Sequence, residues 1–393
     1  MGFEPYLPRL VRDWADGPGV REIEGTLVSV DLSGFTRLSE RLQAKGRAGA
    51  EELVLAVSGV YEGLIGIAER RQGDVLKFRG DALLLFFAGE GHERRACRAS
   101  LDMQWLIRKT GKMMSSVGSV TLRMSTGVHS GPCHFFLVES THEELVVAGP
   151  AATATIALES AAAAGQILVS ERTAEALESS WLGAARKGGR LLRDMDDATV
   201  FPGIGETPPA DTRELEHYIP KPLRAQLLLE AGEAEHRQVA AAFLKYSGTD
   251  ELIAGGRAAE AHAGLSRLAR LIGELTDELG LTWLESDVDS NGGKLYLVGG
   301  APSSTGADED RMLRLLRSAV DTADDIGLVL RAGVNRGPVF CGDIGASTRR
   351  THRSRRCSPC PPCTTTSCAK ARACRPGSSS SRASRARCIT SHC

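Results

Sequence analysis

The chain has 393 residues, of which 42% are apolar and 25% charged, and its formal net charge is −1 at pH 7. These values are ordinary for a soluble globular protein. Its longest strongly apolar run, Ala82–Ala88, is far too short to cross a bilayer, and its N-terminus has no basic-then-apolar signal pattern. We therefore expect a cytosolic protein of two domains with no membrane partner.

The first half of the sequence alternates strand and helix patterns, which predicts an α/β fold. Strands are predicted at residues 26–31, 74–78, 82–87, 120–129, 132–139, 143–148 and 167–169. Helices are predicted at residues 37–45, 50–70, 92–109 and 151–164. The second of these helices carries its apolar residues on one face, as expected for a helix that covers a sheet; they are Leu53, Val57, Val60, Leu64 and Ile67.

Much of this order recurs after a stretch rich in Pro, Gly and Glu at residues 202–222. Strands are predicted at 239–246, 295–298, 329–334 and 339–342, and helices at 258–279 and 308–325. Gly127-Val128-His129-Ser130-Gly131-Pro132 in the first half matches Gly333-Val334-Asn335-Arg336-Gly337-Pro338 in the second. The sequence therefore predicts an internal repeat of two homologous domains.

The predicted domain boundaries follow from this repeat. Residues 1–24 form a lead-in, 25–201 a first domain, 202–235 a linker, 236–345 a second domain that is degenerate and incomplete, and 346–393 a basic tail.

Two carboxylates stand at strand ends in the first half. Asp31 ends an apolar run and precedes the polar turn Ser33-Gly34-Phe35-Thr36, which opens a helix. Asp81 follows Lys77-Phe78-Arg79-Gly80 in the turn of a predicted hairpin. Carboxylates on adjacent strands suit hard divalent cations, and amides at a helix start suit polyphosphate. Singly, Asp31 could be a helix cap and Asp81 a turn residue, but together they predict a metal–nucleotide site.

These motifs, with Gly127-Val128-His129-Ser130-Gly131-Pro132, resemble the class III nucleotidyl cyclases, and more closely the soluble adenylyl cyclases with tandem domains. The resemblance implies ferredoxin-like α+β sandwich domains that pair as an intramolecular pseudo-dimer. It also implies cyclisation of ATP, or of GTP, by two divalent cations, Mg²⁺ or Mn²⁺, held by Asp31, Asp81 and the Leu32 carbonyl.

The resemblance assigns further roles in the same site. The amides of Ser33, Gly34, Phe35 and Thr36 would bind the terminal phosphates. Lys77 would help to recognise the purine, or would instead line a degenerate second pocket or form a local salt bridge.

Departures from the family pattern predict that the two domains share one site. Thr153 and Ala157 stand where the family has an Asn and an Arg that stabilises the transition state. In the second domain Lys245 stands at the metal-aspartate position, and Asn291-Gly292-Gly293-Lys294 replaces the Gly-Asp turn. The second domain should therefore supply the Asn/Arg helix after Gly342-Asp343-Ile344-Gly345.

The tail cannot supply that helix. It has eleven of the 48 Lys and Arg residues, no acidic residue beyond Asp343, and seven of the ten cysteines, but no Leu, Val, Met or Phe. A nucleic-acid arm or a zinc site is a possible interpretation, although aromatic interleaving and a second paired CxxC are absent. We prefer a lost reading frame and predict no nucleic-acid partner. For one choice of codons for residues 376–382, shifting the reading frame by two bases gives the peptide Gly-Gln-Leu-Leu-Val-Ser. This peptide is close to Gly165-Gln166-Ile167-Leu168-Val169-Ser170 of the first half.

Two function hypotheses remain from the sequence. The first is an adenylate cyclase whose activity is impaired in this chain, and the second is a nucleotide-binding pseudo-cyclase with a sensing role. A diguanylate cyclase and a P-loop ATPase are disfavoured because their motifs are missing. The choice of ATP or GTP stays open, since Val146 is apolar where relatives often carry a polar purine partner. Similar tandem cyclases often continue into larger C-terminal regions, so we also expect that the chain is truncated.

Overall fold

Two large β-sheets, one in each half of the described chain, organise the structure, and a separate two-stranded sheet lies in the first half. The structure is a computed structural model that describes residues 3, 6–14, 18–79, 81–196, 215–228, 235–304 and 306–341. The strands of the first half are β1 (Val20–Ser33), β2 (Asp74–Arg79), β3 (Ala82–Ala88), β4 (Lys112–Ser115), β5 (Gly118–Thr121), β6 (Arg123–Glu139), β7 (Glu143–Ala148), β8 (Ile167–Val169), β9 (Leu182–Arg186) and β10 (Gly189–Leu192). Those of the second half are β11 (Glu235–Ser247), β12 (Thr282–Asp289), β13 (Gly292–Gly299) and β14 (Val329–Cys341).

Helices lie between these strands. They are α1 (Arg9–Arg12), α2 (Phe35–Gln43), α3 (Gly46–Arg70), α4 (His92–Thr110), α5 (Pro150–Ala161), α6 (Glu171–Glu175), α7 (Lys221–Leu228), α8 (Thr249–Ala254), α9 (Ala258–Leu279), α10 (Asp308–Asp321) and α11 (Ala323–Ile326). Short 3₁₀ turns lie at Ser179–Trp181 and Glu216–Tyr218.

The two sheets share one topology. The first has the order β2-β3-β1-β6-β8-β10-β9, with β7 also paired to β6, and the second has the order β12-β13-β11-β14. Each half therefore places a hairpin, a long central strand and a second long strand side by side. This arrangement confirms the predicted repeat of two homologous α/β domains. The second sheet, as described, contains only the counterpart of β2-β3-β1-β6.

The repeat extends to backbone detail. β1 and β11 both end in a serine followed by a glycine in the left-handed region, Gly34 at φ 96° and Gly248 at φ 110°. Each glycine then begins a helix, α2 or α8. The hairpins also shift register at corresponding places, between Val75 and Lys77 and between Trp283 and Glu285. Position Asp31 in the first half therefore corresponds to Lys245 in the second, each three residues before the glycine.

The halves share part of their hydrophobic core. Helices α3 and α4 cover one face of the first sheet, and α9 and α10 cover one face of the second. Phe136, Val138, Val146 and Ala148 of β6 and β7 belong to the same buried cluster as the inward side chains of α9. The burial of such large apolar groups is the main stabilising contribution to an interface of this kind.

Several sequence predictions are corrected by the structure. The strands predicted to break at Gly131-Pro132 and Gly337-Pro338 are continuous, forming β6 and β14. On one side of β6, residues before Pro132 pair with β8 and residues after it pair with β7. Pro132 lies between these two stretches, where no strand partner requires its missing N–H. Strands β4, β9, β10 and β12 were not predicted. Within the predicted linker, Leu215, Ile219 and Leu223 are buried.

Candidate active site at the end of β1

The ends of β1 and β3 bring Asp31 and Asp81 together. Asp31 lies opposite Ala82 on β3 and opposite Ser125 on β6. The amide of Leu32 donates a hydrogen bond to the carbonyl of Asp81 over 3.3 Å. Both aspartates are half-buried. The antiparallel register thus places the backbones of the two aspartates next to each other. The cation site that the sequence predicts there stays a prediction.

The turn after Asp31 is held by Gly34. Its φ of 96° is a conformation that side-chain-bearing residues rarely adopt, and a Cβ there would lie 2.8 Å from the carbonyl oxygen of Thr121. No side chain caps the first turn of α2, so its amides stay available to an anion. Ser33 donates its hydroxyl to the carbonyl of Arg123 over 3.3 Å.

The rest of the predicted phosphate loop is only partly described. The backbone of Phe35 begins α2, whereas the side chains of Phe35 and Thr36 lie outside the described set.

A buried polar network lies beside the aspartates. Glu159 of α5 accepts a hydrogen bond from Ser29 over 3.3 Å and lies 3.7 Å from the Arg79 guanidinium. Burial raises the pKa of Glu159 despite the opposing effect of Arg79, and the nearby charge of Asp81 raises it further. Burial is therefore the main cause of the raised pKa, and the positive charge of Arg79 outweighs the negative charge of Asp81 at this carboxyl group.

The donor set fits Mg²⁺ or Mn²⁺. Asp31, Asp81 and the backbone carbonyl of the buried Leu32 offer hard oxygen ligands, and these cations commonly complete their shell with water and substrate phosphate. In the described part of the chain, no three His, Cys, Asp or Glu side chains form a metal-binding group. The protein would therefore hold cations by few ligands and share them with a nucleotide.

Lys77 lies deeper than a surface lysine. Its side chain is 6% exposed, and its Nζ lies 2.5 Å from Oε1 of Glu144 and 3.2 Å from Oγ of Ser286. Burial by itself would raise the pKa of Glu144, but Lys77 and His142 outweigh it and hold that pKa below its ordinary range. The predicted role of Lys77 in purine recognition stays a prediction; in the structure Lys77 joins β2 and β7 to β12 of the second half.

The corresponding site of the second half holds an ion pair. Lys245 Nζ lies 3.1 Å from Oδ2 of Asp289. A Cβ at Gly293 would overlap the hydroxyl of Tyr246, so the β13 side of this turn has no room for a side chain. This half therefore lacks the paired carboxylates of the first.

The two α5 positions where the family has Asn and Arg also face this region. Thr153 accepts a hydrogen bond from the amide of Asn291 over 3.2 Å, and Ala157 is exposed. The predicted complementary helix after residue 341 lies outside the described residues.

Three charged residues at this interface were missed by sequence reasoning. Glu144 and Glu159 lie in a strand and a helix of unremarkable pattern, so no local signal marks them. Arg79 adjoins the Gly80-Asp81 turn, and its position in the motif was the only available signal.

A protein-family model matches the first half of the chain. Residues 23–197 match the family model described as the adenylate and guanylate cyclase catalytic domain. This part of the chain is therefore similar to the class III adenylate and guanylate cyclases. Since the family model covers both kinds of cyclase, the match leaves the purine open. The family generally uses divalent metal ions.

A curated relative also matches part of the chain. Adenylate cyclase type 10 of Oryctolagus cuniculus is 28% identical over 142 residues, which are 34% of this chain and 9% of the rabbit protein. The chain thus matches only a small part of that relative's length.

The fold is also found in solved structures. A class III adenylyl cyclase-like ATP-binding protein from Pseudomonas aeruginosa has a TM-score of 0.58 at 12% identity, covering 84% of this chain and 78% of that one. That coverage includes both halves, so the likeness extends to the fold of the whole described chain. The adenylyl cyclase CyaB from P. aeruginosa is 22% identical and covers 46% of this chain and 99% of its own, at a TM-score of 0.38. Among the helices described, none combines the length and apolar character needed to span a membrane.

Proposed function

We propose that this protein carries the metal- and phosphate-binding half of an adenylate cyclase site, which converts ATP to cyclic AMP and pyrophosphate at the interface of its two halves. One observation carries the proposal. Asp31 and Asp81 lie on adjacent strand ends, directly before the uncapped helix start at Gly34. This arrangement supports a site in which cation ligands and phosphate-binding amides would act side by side.

Each group of residues has its own role in the proposed reaction. Asp31, Asp81 and the Leu32 carbonyl would hold two Mg²⁺ or Mn²⁺ ions. When bound, these cations lower the pKa of the attacking 3′-hydroxyl and neutralise the phosphates. The amides from Ser33 to Thr36 would orient the terminal phosphates, so that the leaving pyrophosphate is already neutralised. No covalent intermediate on the protein is required.

ATP is the proposed substrate because the matching relative is an adenylate cyclase. Val146 is buried in the shared core, so it does not offer a polar partner to the purine.

The chain as written should be a poor cyclase. Ala157 offers no charge to the transition state, and the segment that would supply the Asn/Arg helix falls among residues 342–393, outside the described residues. A homodimer of the first half would not repair this, because Thr153 and Ala157 would face both sites.

A Mn²⁺–ATP assay tests the proposal. We expect little cyclic AMP from the chain as written and at least about tenfold more from a version with the frame restored after Gly345, since charge stabilisation of this kind contributes orders of magnitude. In the restored version D31N and D81N should abolish turnover, whereas D277N, at an exposed ion pair on α9, should not. Equal activity of the written and restored chains would refute the proposal.

A second candidate is a nucleotide-binding pseudo-cyclase. The Lys245–Asp289 pair favours it, because the second half has replaced its metal ligands with an internal ion pair. Fluorescent ATP-analogue binding that needs Mn²⁺ and is lost in D31N, with no turnover in the restored version, would support this candidate over the enzyme.

A further inference from the structure

The outer strands of the two hairpins carry opposite charges at equivalent positions. β2 reads Lys77-Phe78-Arg79, and β12 reads Glu285-Ser286-Asp287. The register makes these tripeptides equivalent. Arg79 pairs with Ala82, the partner of Asp31, and Asp287 pairs with Lys294, the partner of Lys245. Two residues earlier, after the register shift that both hairpins share, Lys77 pairs with Leu84 and Glu285 with Tyr296.

Arg79 contacts its own counterpart across the interface. Its Nε lies 2.5 Å from Oδ1 of Asp287, and its Nη2 donates to the carbonyl of Val288 over 3.3 Å. Both charged side chains are 10% exposed, so the pair is largely desolvated. Asp287 also lies 3.2 Å from Lys294 of its own sheet, and Arg79 lies 3.7 Å from Glu159 of its own half.

A contact between equivalent positions has a direct consequence for pairing. If two copies of the first half associated in the same way, two-fold symmetry would set Arg79 against Arg79. Two copies of the second half would set Asp287 against Asp287. Like charges brought together at a buried interface repel strongly, whereas the unlike pair is attractive. Glu159, beside Arg79, and Lys294, beside Asp287, would offset part of this repulsion.

We propose that this charge inversion selects the partner of the first half: it takes the second half of the chain and rejects another copy of itself. The selection does not depend on catalysis, because it concerns only which surfaces meet. This selection rests on the proposed composite site and explains how it assembles. Only the unlike pairing brings the second half of the chain, rather than another first half, next to Asp31 and Asp81. Failure of the cyclase assay would leave it standing.

Charge reversal in the full chain tests the selection. In R79D and in D287R we expect like charges at the contact, faster amide hydrogen exchange in β7 and β12 by about tenfold or more, and a larger radius of gyration by X-ray scattering. The double variant R79D/D287R restores opposite charges and should return exchange to within a few-fold of wild type. The neutral variant D287N should have an exchange rate between those of wild type and D287R.

The matched control reverses a charge outside the interface. R317D changes an exposed ion pair with Asp321 on α10 and should leave exchange in β7 and β12 unchanged. The proposal fails if R79D/D287R exchanges as fast as the faster single variant, or if the single variants behave like R317D.

Mixing the two single variants tests selectivity between copies. R79D chains and D287R chains match each other's charges only between molecules, so mixed dimers should exceed either homodimer several-fold by native mass spectrometry. A statistical distribution, in which the mixed dimer is only twice as abundant as either homodimer, or a mixture that stays as monomeric as wild type, would overturn the selection.

Discussion

Asp31 and Lys245 occupy equivalent places in the two halves, each three residues before a glycine with left-handed backbone. In the second half the Lys245 ammonium lies 3.1 Å from Asp289. Burial opposes ionisation of Asp289, but the hydrogen bonds from Lys245 and from the Ser290 amide outweigh it and lower the pKa of Asp289. One half therefore pairs its carboxylate with a lysine, and the other carries two aspartates at the equivalent positions, for which we propose a bound cation.

This relationship predicts the behaviour of D31K. The lysine should pair with Asp81 much as Lys245 pairs with Asp289, so the variant should fold. Wild-type protein should gain stability on adding Mn²⁺, by about 2.7 kcal/mol at one hundred times the dissociation constant, and D31K should gain none. Thermal unfolding at fixed ionic strength, with and without MnCl₂, measures this. An equal Mn²⁺ effect on both proteins would show that the cation binds elsewhere.

Gly34 should be intolerant of a side chain. In G34A the added Cβ meets the Thr121 carbonyl and the backbone is held at φ 96°, so we expect a loss of about 1–3 kcal/mol of folding free energy. Nucleotide binding should weaken as well, because the helix-start amides would shift.

Gly59 provides the matched control for this substitution. It lies inside α3, and an added Cβ would meet nothing within 4 Å. G59A should therefore stabilise the protein by about 0.5–1 kcal/mol. Urea unfolding of both variants gives the comparison, and a G34A protein as stable as G59A would contradict the role of the turn.

The first half was largely readable from its sequence because its signals are local. The strand before Asp31, the glycine turn and the hairpin at Asp81 each depend on neighbouring residues. The second-half helix predicted at 258–279 matches α9, Ala258–Leu279, for the same reason: its apolar face repeats regularly.

β12 could not be predicted in this way. Its Glu285, Asp287 and Asp289 are atypical of a strand, and the charges of the last two are compensated by residues distant in sequence, Arg79 and Lys245. The burial of Lys77 likewise depends on Glu144 and Ser286, which only the assembled interface brings together. Site residues supported by a local motif were therefore predictable, and those supported by the other half were not.

The protein should lose stability in mild acid through His129. Burial, with a smaller effect of the Arg172 charge, lowers the pKa of His129 from 6.5 to about 4. Below pH 6.5 the unfolded chain binds a proton that the folded chain does not, so stability falls as the pH drops from 6.5 to 4, by on the order of 3 kcal/mol.

The variant H129Q should flatten that part of the pH profile of unfolding free energy. H217Q, which replaces an exposed histidine, should show the same loss of stability between pH 6.5 and 4 as wild type. A profile unchanged in H129Q would rule out this assignment.

The Lys77–Glu144 pair predicts a large asymmetry between single and double replacement. E144Q leaves the Lys77 ammonium buried without its carboxylate, which should cost about 3–5 kcal/mol. K77M/E144Q removes both charges at similar volume and should recover most of that loss. Urea unfolding of the four proteins in a double-mutant cycle gives the coupling. Additive losses would show that the two side chains do not interact.

The same variants separate a structural Lys77 from one that faces the purine. Because the folded-state pKa of Glu144 is depressed, the advantage of wild type over E144Q should be complete above pH 4.5 and should shrink as the pH falls below it. If Lys77 is purely structural, K77M/E144Q should bind an ATP analogue as tightly as wild type. If Lys77 also recognises the purine, binding should weaken by about tenfold although the fold is restored, since a hydrogen bond to a charged group contributes about 1.5–3 kcal/mol.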